Sequence, residues 1–271
     1  MAITDVKQLW AAHYESIPRT VEEQGVQEAV RWILKRGPWT YNNLRRKWFH
    51  SLGITEGTTL LQAGCGIGKS GIAEALLVGC QVTLLDYSPR ALASAKMVVE
   101  RLSVNHPELV SRVHFVRAAF EDLAFENCFD VTFNEGVLEH WFEDAERAEI
   151  LRQLVKSTKP GGKVIVFVPN QKNRFYRNRM ARQAALESTV PPERAFTSEE
   201  LRQRMEEAGL VDVRVMGFAP HLSFGGYTGW RSMAMGAWLL QQFLPRSWCV
   251  NYADHYGFFL VGIGAKRHLE K

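Results

Sequence analysis

The stretch LLQAGCGIGKSG, Leu60 to Gly71, predicts a buried strand that runs into a glycine-rich turn and then into a helix. Gly64, Gly66 and Gly68 carry no Cβ atom, so the turn can be tight and a ligand can approach its backbone closely. The helix that follows points free N–H groups at the same place. A second apolar strand, VTLLDYSP, contains Asp86 near its end. A carboxylate at this distance along the chain is placed to bind the ribose hydroxyls of a nucleotide.

The spacing of the glycines separates three possible ligands. The dinucleotide pattern G-x-G-x-x-G needs a small residue directly after Gly68, where this chain has Lys69, so NAD is disfavoured. The segment from Ala63 to Ser70 also approaches the phosphate-loop pattern, with Ala63 at the first glycine position. ATP and GTP are disfavoured because Asp86, at the end of the next strand, has no role in a phosphate-loop site. The spacing G-x-G-x-G remains.

With this turn and strand the chain resembles the class I S-adenosylmethionine-dependent methyltransferases. The resemblance covers about residues 55 to 267 in the order of the family. It implies an α/β fold of the Rossmann-like, doubly wound type, with a seven-stranded, mostly parallel sheet, an antiparallel last strand, a helical N-terminal segment and helical cap insertions. Four further blocks carry it: FVRAAFEDLAFENCFDVTFNEGVLEHW (115–141), LVKSTKPGGKVIVFVPN (154–170), FTSEELRQRMEEAGLVDVRV (196–215) and GFFLVGIGAK (257–266).

Apolar strands alternate with helical segments along the chain, which is typical of a parallel sheet covered on both faces. Helices are predicted at about 69–78 and 89–103, where alanine and leucine recur at helical spacing. The predicted strands are 58–63, 81–86, 113–117, 130–134, 163–168, 211–217 and 257–265.

Composition is consistent with an ordinary soluble enzyme. The 271 residues are 46% hydrophobic and carry a formal net charge of +4, which indicates no nucleic-acid partner. The four cysteines show no paired metal-ligand spacing, so we expect reduced thiols, no metal site and a cytoplasmic location. The N-terminus lacks an apolar leader segment, and the longest apolar stretch, 233–244, is too short to span a bilayer.

We predict an N-terminal helical cap segment over residues 1–50 and a methyltransferase domain over 51–271. Trp10 or Tyr14 of the cap segment either closes the cofactor site or packs helices onto the domain. Two insertions, 171–195 and 218–256, are expected to form the substrate cap.

The two insertions leave alternatives open. The first is basic, and Arg174, Arg177 and Arg182 near one helical face either meet an anionic substrate or lipid head group or are simply solvated. The second contains an apolar helix predicted at 231–244. This helix lines a pocket for a hydrophobic acceptor, forms a homodimer interface, or contacts a membrane surface, the last being the least favoured.

The resemblance also implies a set of cofactor contacts. Asp86 binds both ribose hydroxyls, Tyr87 packs on adenine, and Phe120 offers its backbone N–H to the ring with Glu121 as an alternative polar partner. The backbone carbonyl of Asn134 receives the methionine ammonium. The remaining members are the turn residues Gly64, Cys65, Gly66 and Gly68, and Tyr14 above them.

Two positions depart from the family pattern. Gln62 stands where an acidic residue usually helps to hold the methionine ammonium, and a neutral amide makes a weaker hydrogen bond than a carboxylate. Ala119 stands where an acidic residue commonly binds the adenine amino group. Both predict weaker cofactor binding and leave open the alternative that the domain is not catalytic.

For a hydroxyl acceptor a base must take the proton, and His140 is the main candidate, either catalytic or structural. Weaker candidates are His221, His13 and Tyr14, while Glu135 and Glu139 either orient an acceptor or cap the next helix. We therefore expect transfer of a methyl group to a small hydrophobic or aromatic acceptor, with oxygen favoured over nitrogen or carbon. The alternative is a methyltransferase-like scaffold that binds the cofactor or a protein partner through 218–256.

Overall fold

The computed structural model describes residues 6–184, 191–223 and 231–268 of the chain. Its strands form one seven-stranded sheet, in which only the last strand of the chain runs antiparallel to its neighbours. The strands are β1 (Thr59–Ala63), β2 (Gln81–Asp86), β3 (Val113–Arg117), β4 (Phe129–Glu135), β5 (Thr158–Pro169), β6 (Leu210–Phe218) and β7 (Phe259–Lys266). Their order across the sheet is β3-β2-β1-β4-β5-β7-β6, so the predicted fold class is confirmed.

Helices cover both faces of the sheet and build the N-terminal segment. Among the described residues, no helix is both long and apolar enough to cross a membrane. The helices are α1 (Val6–Ser16), α2 (Arg19–Leu34), α3 (Tyr41–Ser51), α4 (Lys69–Leu77), α5 (Pro89–Ser103), α6 (Leu109–Arg112), α7 (Asp144–Ser157), α8 (Arg174–Ala184), α9 (Ser198–Glu207), α10 (Arg231–Gln241) and α11 (Arg246–Tyr256).

The chain reverses its direction across the sheet at β1, which pairs with β2 on one side and β4 on the other. Ligands of open α/β sheets bind at the carboxyl ends of the strands beside such a switch point. The carboxyl ends of β1, β2 and β4 carry the glycine-rich turn, Asp86 and Glu135. The topology therefore brings three separate sequence motifs to one edge of the sheet.

The glycine-rich turn is fitted closely to the sheet. Gly68 caps α4 in a left-handed conformation, with φ of +70°. A Cβ atom there would lie 2.6 Å from a methyl group of Leu84 and 3.3 Å from Cβ of Ala95. Gly68 thus allows the turn to pack on β2 and α5, which places the N-terminus of α4 beside the carboxyl end of β1.

Two predicted elements differ from the structure. The fifth strand begins at Thr158 rather than 163, because the chain between these positions stays in the sheet through a register irregularity opposite Phe129. The apolar helix predicted at 231–244 ends at Gln241, and a second helix follows from Arg246. Pro245 explains the break, since a proline disfavours helical geometry in the residue before it.

The two insertions pack against each other. Asn173, which is fully buried, donates hydrogen bonds to Ser223 Oγ at 2.8 Å and to the Gly257 carbonyl at 3.0 Å. Lys172 forms an ion pair with Asp254 at 2.6 Å. These contacts join the start of α8 to the end of α11, so the described parts of the insertions form one unit beside β6.

Candidate functional site

A cavity of about 270 Å³ opens at the carboxyl ends of β1, β2 and β4. Its floor is the glycine-rich turn, its far side is the segment after β3, and its roof is α1. The residues that line it are Val6, Lys7, Trp10, Tyr14, Gly64, Cys65, Gly66, Ile67, Lys69, Leu85, Asp86, Tyr87, Ala118, Ala119, Phe120, Glu121, Glu135, Gly136, Val137, His140 and Trp141.

Two glycines let the floor of the cavity approach the side chains around it closely. Gly64 has φ of +70°, and a Cβ atom there would lie 2.7 Å from a methyl group of Val137. Gly66 has φ of +53°, and a Cβ atom there would lie 3.0 Å from the hydroxyl of Tyr14. Between them, Cys65 is buried, donates its N–H to the Leu85 carbonyl at 2.9 Å, and has a thiol whose pKa burial raises well above its usual range. The backbone is thereby held open toward the cavity.

Asp86 connects the turn to the second strand. One carboxylate oxygen, Oδ2, accepts the N–H of Gly66 at 2.8 Å, and Oδ1 accepts the N–H of Ser88 at 3.0 Å. Burial raises the pKa of Asp86, and these backbone hydrogen bonds oppose the rise. A carboxylate has about four acceptor positions. Asp86 therefore keeps acceptor capacity for a pair of hydroxyl groups in the cavity.

Helix α1 covers the cavity and is tied to two of its walls. The hydroxyl of Tyr87 donates a hydrogen bond to the Lys7 carbonyl at 2.6 Å. The ammonium of Lys7 pairs with Glu121 in the segment after β3. Burial alone would raise the pKa of Glu121. The hydrogen bond from Lys7 and its positive charge lower this pKa by more, so the net shift is downward. Trp10 and Tyr14 both line the cavity from the next two turns of the helix.

His140 faces the cavity in a defined protonation state. Its Nδ1 lies 3.0 Å from the Pro192 carbonyl, and its ring meets the Trp10 ring edge-on, with centroids 4.9 Å apart. Because a carbonyl only accepts, Nδ1 carries the proton and Nε2 holds the lone pair. Burial lowers the pKa of His140, and the hydrogen bond to Pro192 offsets this only in part. The imidazole is thus neutral near pH 7 and able to accept a proton.

Not every predicted site residue reaches the cavity. Gly68 packs on the sheet, and the side chain of Asn134 is fully buried within β4, where neither of its polar atoms has a partner among the described residues. The predicted contact of the Asn134 backbone carbonyl with the methionine ammonium stays a prediction. His13 and His221 lie outside the lining, and His221 contacts the Trp39 carbonyl through Nε2 at 3.0 Å. Within the described ranges, neither insertion contributes to the lining, so their role as a substrate cap stays a prediction.

The structure adds residues that the sequence analysis assigned to no cofactor role. Lys7 and Glu135 line the cavity, and their partners lie far away along the chain, so no local pattern indicates them. Glu139, His140 and Glu193 bring metal-ligating atoms within 4.8 Å of one another. Burial raises the pKa of Glu139 well above its usual range. The expected lack of a metal site stays a prediction.

Residues 61–166 match the family model described as a methyltransferase domain. This span contains the glycine-rich turn, Asp86 and His140. Residues 61–166 form a class I methyltransferase domain. The family resemblance inferred from the motifs is therefore confirmed.

Two curated relatives and one solved structure illustrate the similarity of this methyltransferase domain to known proteins. The cypemycin N-terminal methyltransferase of a Streptomyces species is 31% identical over 116 residues, which is 42% of this chain and 43% of that protein. The methyltransferase phqN of Penicillium fellutanum is 21% identical over 118 residues, or 44% of this chain and 34% of that protein. The matched part thus spans less than half of either relative.

The solved structure is phosphoethanolamine N-methyltransferase 2 of Haemonchus contortus in complex with S-adenosyl-L-methionine. It superimposes with a TM-score of 0.58 at 17% identity, covering 91% of this chain and 57% of that one. At this identity the likeness shows the fold alone.

Proposed function

We propose that this protein binds S-adenosylmethionine and transfers its methyl group to a small hydrophobic or aromatic acceptor, with an oxygen atom as the favoured methyl acceptor. One observation carries the proposal: a single cavity joins the glycine-rich turn, the Asp86 carboxylate and the neutral imidazole of His140. A nucleoside site and a proton acceptor are the two parts that methylation of a hydroxyl group needs.

The residues present fit the cofactor. The turn at Gly64 and Gly66 leaves space that a Cβ atom would fill, and Asp86 keeps free acceptor capacity for the ribose hydroxyls. Tyr87 and Phe120 would hold the adenine between the second and third strands. Ala119 offers no acidic group to adenine, and Glu121 is the lining carboxylate nearest in sequence.

When bound, the cofactor supplies an electrophilic methyl group on a sulfonium. The work of the protein is then alignment and exclusion of water, since displacement at a methyl group requires little side-chain chemistry. Tyr14 and Trp10 exclude water from above. His140 receives the acceptor's proton at Nε2, while its Nδ1–H stays bonded to the Pro192 carbonyl.

The surroundings of His140 support the acceptor class. Trp10 meets the imidazole edge-on, and Trp141 and Phe120 meet each other edge-on at 6.5 Å. All of these rings belong to the lining of the cavity. Aromatic rings around the proton acceptor favour a hydrophobic or aromatic acceptor over a charged macromolecule.

Calorimetric titration with S-adenosylmethionine and S-adenosylhomocysteine tests the proposal. We expect both to bind the wild type, and Asp86→Ala to abolish binding, whereas Asp122→Ala in an exposed part of the neighbouring loop should leave it unchanged. Asp86→Asn serves as a second variant, because it keeps the shape of the side chain that holds the turn. No binding by the wild type would refute the proposal.

A partner-binding scaffold is the second candidate function, and one feature favours it. Of the thirteen exposed large apolar side chains among the residues that the structure describes, six fall within residues 235–250. Exposed apolar side chains concentrated on two successive helices are typical of an interaction surface, including a homodimer interface. Under this function, Asp86→Ala would leave partner binding intact, and the wild type would show no methyl transfer to any acceptor. The six are Met235, Leu239, Leu240, Phe243, Trp248 and Val250.

A further inference from the structure

The carboxylate of Glu135 lies at the end of β4 and lines the cavity. Three donors hold it in place. The hydroxyl of Tyr41 donates to Oε1 at 2.9 Å, the hydroxyl of Ser70 donates to Oε2 at 2.7 Å, and Arg45 Nη1 donates to Oε2 at 3.2 Å. The side chain keeps 13% of its surface accessible, whereas that of Arg45 keeps none. Glu135 is therefore the cavity-facing end of a buried polar network.

The charges of this network are unequal. Arg45 is shared between Glu135 and Glu74, to which its Nε donates at 2.8 Å. Burial raises the pKa of Glu74, and Arg45 acts against that rise. One guanidinium thus faces two carboxyl groups, of which that of Glu74 is buried and that of Glu135 borders the cavity. A cation placed against Glu135 from the cavity side would complete the balance of charge.

Gln62 cannot bind a cation in the cavity. Its Oε1 accepts the N–H of Gly71 at 2.7 Å, so the amide is bonded to the first turn of α4. It is buried and absent from the cavity lining. Gln62 lies beside Phe133 in the register of β1 and β4, which places Glu135 two residues further along the adjacent strand, toward the cavity.

We propose that Glu135 forms the subsite for a primary ammonium group, namely the α-ammonium at the methionine end of the cofactor, and so replaces the acid missing at position 62. This inference rests on the proposed function. Arg45, Ser70 and Tyr41 are positioning residues, since each holds the carboxylate without lining the cavity. The N-terminal segment thereby contributes to cofactor binding through α3 as well as through α1.

A pair of ligands tests this subsite. S-adenosylhomocysteine carries the ammonium, whereas 5′-methylthioadenosine keeps the adenosine and thioether and lacks the amino acid. In Glu135→Gln we expect the affinity for S-adenosylhomocysteine to fall at least about tenfold, as for the loss of a hydrogen bond between charged groups. The affinity for 5′-methylthioadenosine should stay close to that of the wild type. Both are measured by calorimetry, with thermal unfolding to establish that the variant is folded.

Glu121→Gln is the matched control, because it removes another carboxylate that lines the same cavity. Any loss there should be equal for the two ligands. If Glu135→Gln fails to fold, Tyr41→Phe removes a single donor to the carboxylate and should give a smaller loss, again confined to S-adenosylhomocysteine.

Two results would overturn the subsite: unchanged affinity of Glu135→Gln for S-adenosylhomocysteine, or equal losses for both ligands. In either case the cofactor site itself would stand. If the wild type binds neither ligand, it is the proposed function that fails. If Glu135 bound an ammonium group of the acceptor instead of that of the cofactor, Glu135→Gln would leave S-adenosylhomocysteine binding unchanged. The experiment therefore also distinguishes these two ligands.

Discussion

The carboxylate of Asp86 accepts the backbone N–H of Gly66 at 2.8 Å, which ties the end of the second strand to the glycine-rich turn after the first. The two residues are twenty positions apart in sequence. The bond orients the same carboxylate that lines the cavity, so the shape of the turn and the nucleoside site depend on each other. Substitutions in the turn should therefore affect ligand binding and stability together.

Gly64→Ala should weaken both cofactor binding and the fold. Its new methyl group would lie 2.7 Å from Val137 in the cavity wall, at a backbone φ of +70°. Gly57→Ala is the matched control, since Gly57 has φ of +79° and no atom within 4 Å of the added methyl group. Both variants should lose roughly 1 kcal/mol of unfolding free energy to backbone strain. Only Gly64→Ala should lose more than this and also lose affinity for S-adenosylhomocysteine; equal behaviour would argue against a cradle at Gly64.

Trp10→Ala should speed release of the cofactor. The ring of Trp10 packs on Tyr14 with centroids 5.9 Å apart and on His140 at 4.9 Å, so its loss opens the roof of the cavity. Stopped-flow dissociation of S-adenosylhomocysteine measures the effect, and we expect a rate increase on the order of tenfold. Leu9→Ala, at a more exposed position of the same helix, should leave the rate unchanged. An unchanged rate in Trp10→Ala would show that α1 does not retain the ligand.

Arg45→Met should be severely destabilising. Arg45 is fully buried and pairs with both Glu74 and Glu135, and its removal would leave neither carboxyl group with this partner. Breaking a buried ion pair in this way costs about 3–5 kcal/mol. Denaturant unfolding measures the loss, with Arg46→Met as the exposed neighbour that should change stability little. A loss below about 1 kcal/mol would mean that the network contributes little to folding.

His221 should make stability depend on pH. Burial lowers the pKa of its imidazole below the ordinary value of 6.5, so the unfolded chain gains a proton at a higher pH than the folded chain. The wild type therefore loses this contribution as the pH falls from 6.5 through the folded pKa. The destabilisation caused by His221→Gln should shrink over the same range. Denaturant unfolding at neutral pH and below 6.5 measures it.

His50→Gln, an exposed histidine of α3, is the control for that experiment and should show no change between the two conditions. A destabilisation by His221→Gln that is the same in both would exclude a buried neutral imidazole.

Much of the cofactor side of the cavity was predictable from local patterns. Gly64, Gly66 and Asp86 lie in two short motifs, and the alternation of strands and helices places the ends of those motifs together. The limits of helices were less predictable. The break before Pro245 and the early start of β5 at Thr158 depend on how neighbouring segments pair and pack. The secondary-structure propensities of single residues do not include this information.

The sequence by itself determined the class of fold and the position of the glycine-rich turn. The alternation of strands with helices, the glycine spacing and the order of the motifs along the chain can all be recognised from the residues alone. Only the tertiary structure decided which side chains surround the cavity. Tyr41 and Arg45 contact Glu135 although they precede it by 94 and 90 positions in sequence. Lys7 meets Glu121 across 114. Contacts at such separations follow from burial and charge pairing in the folded chain, which no spacing of residues encodes.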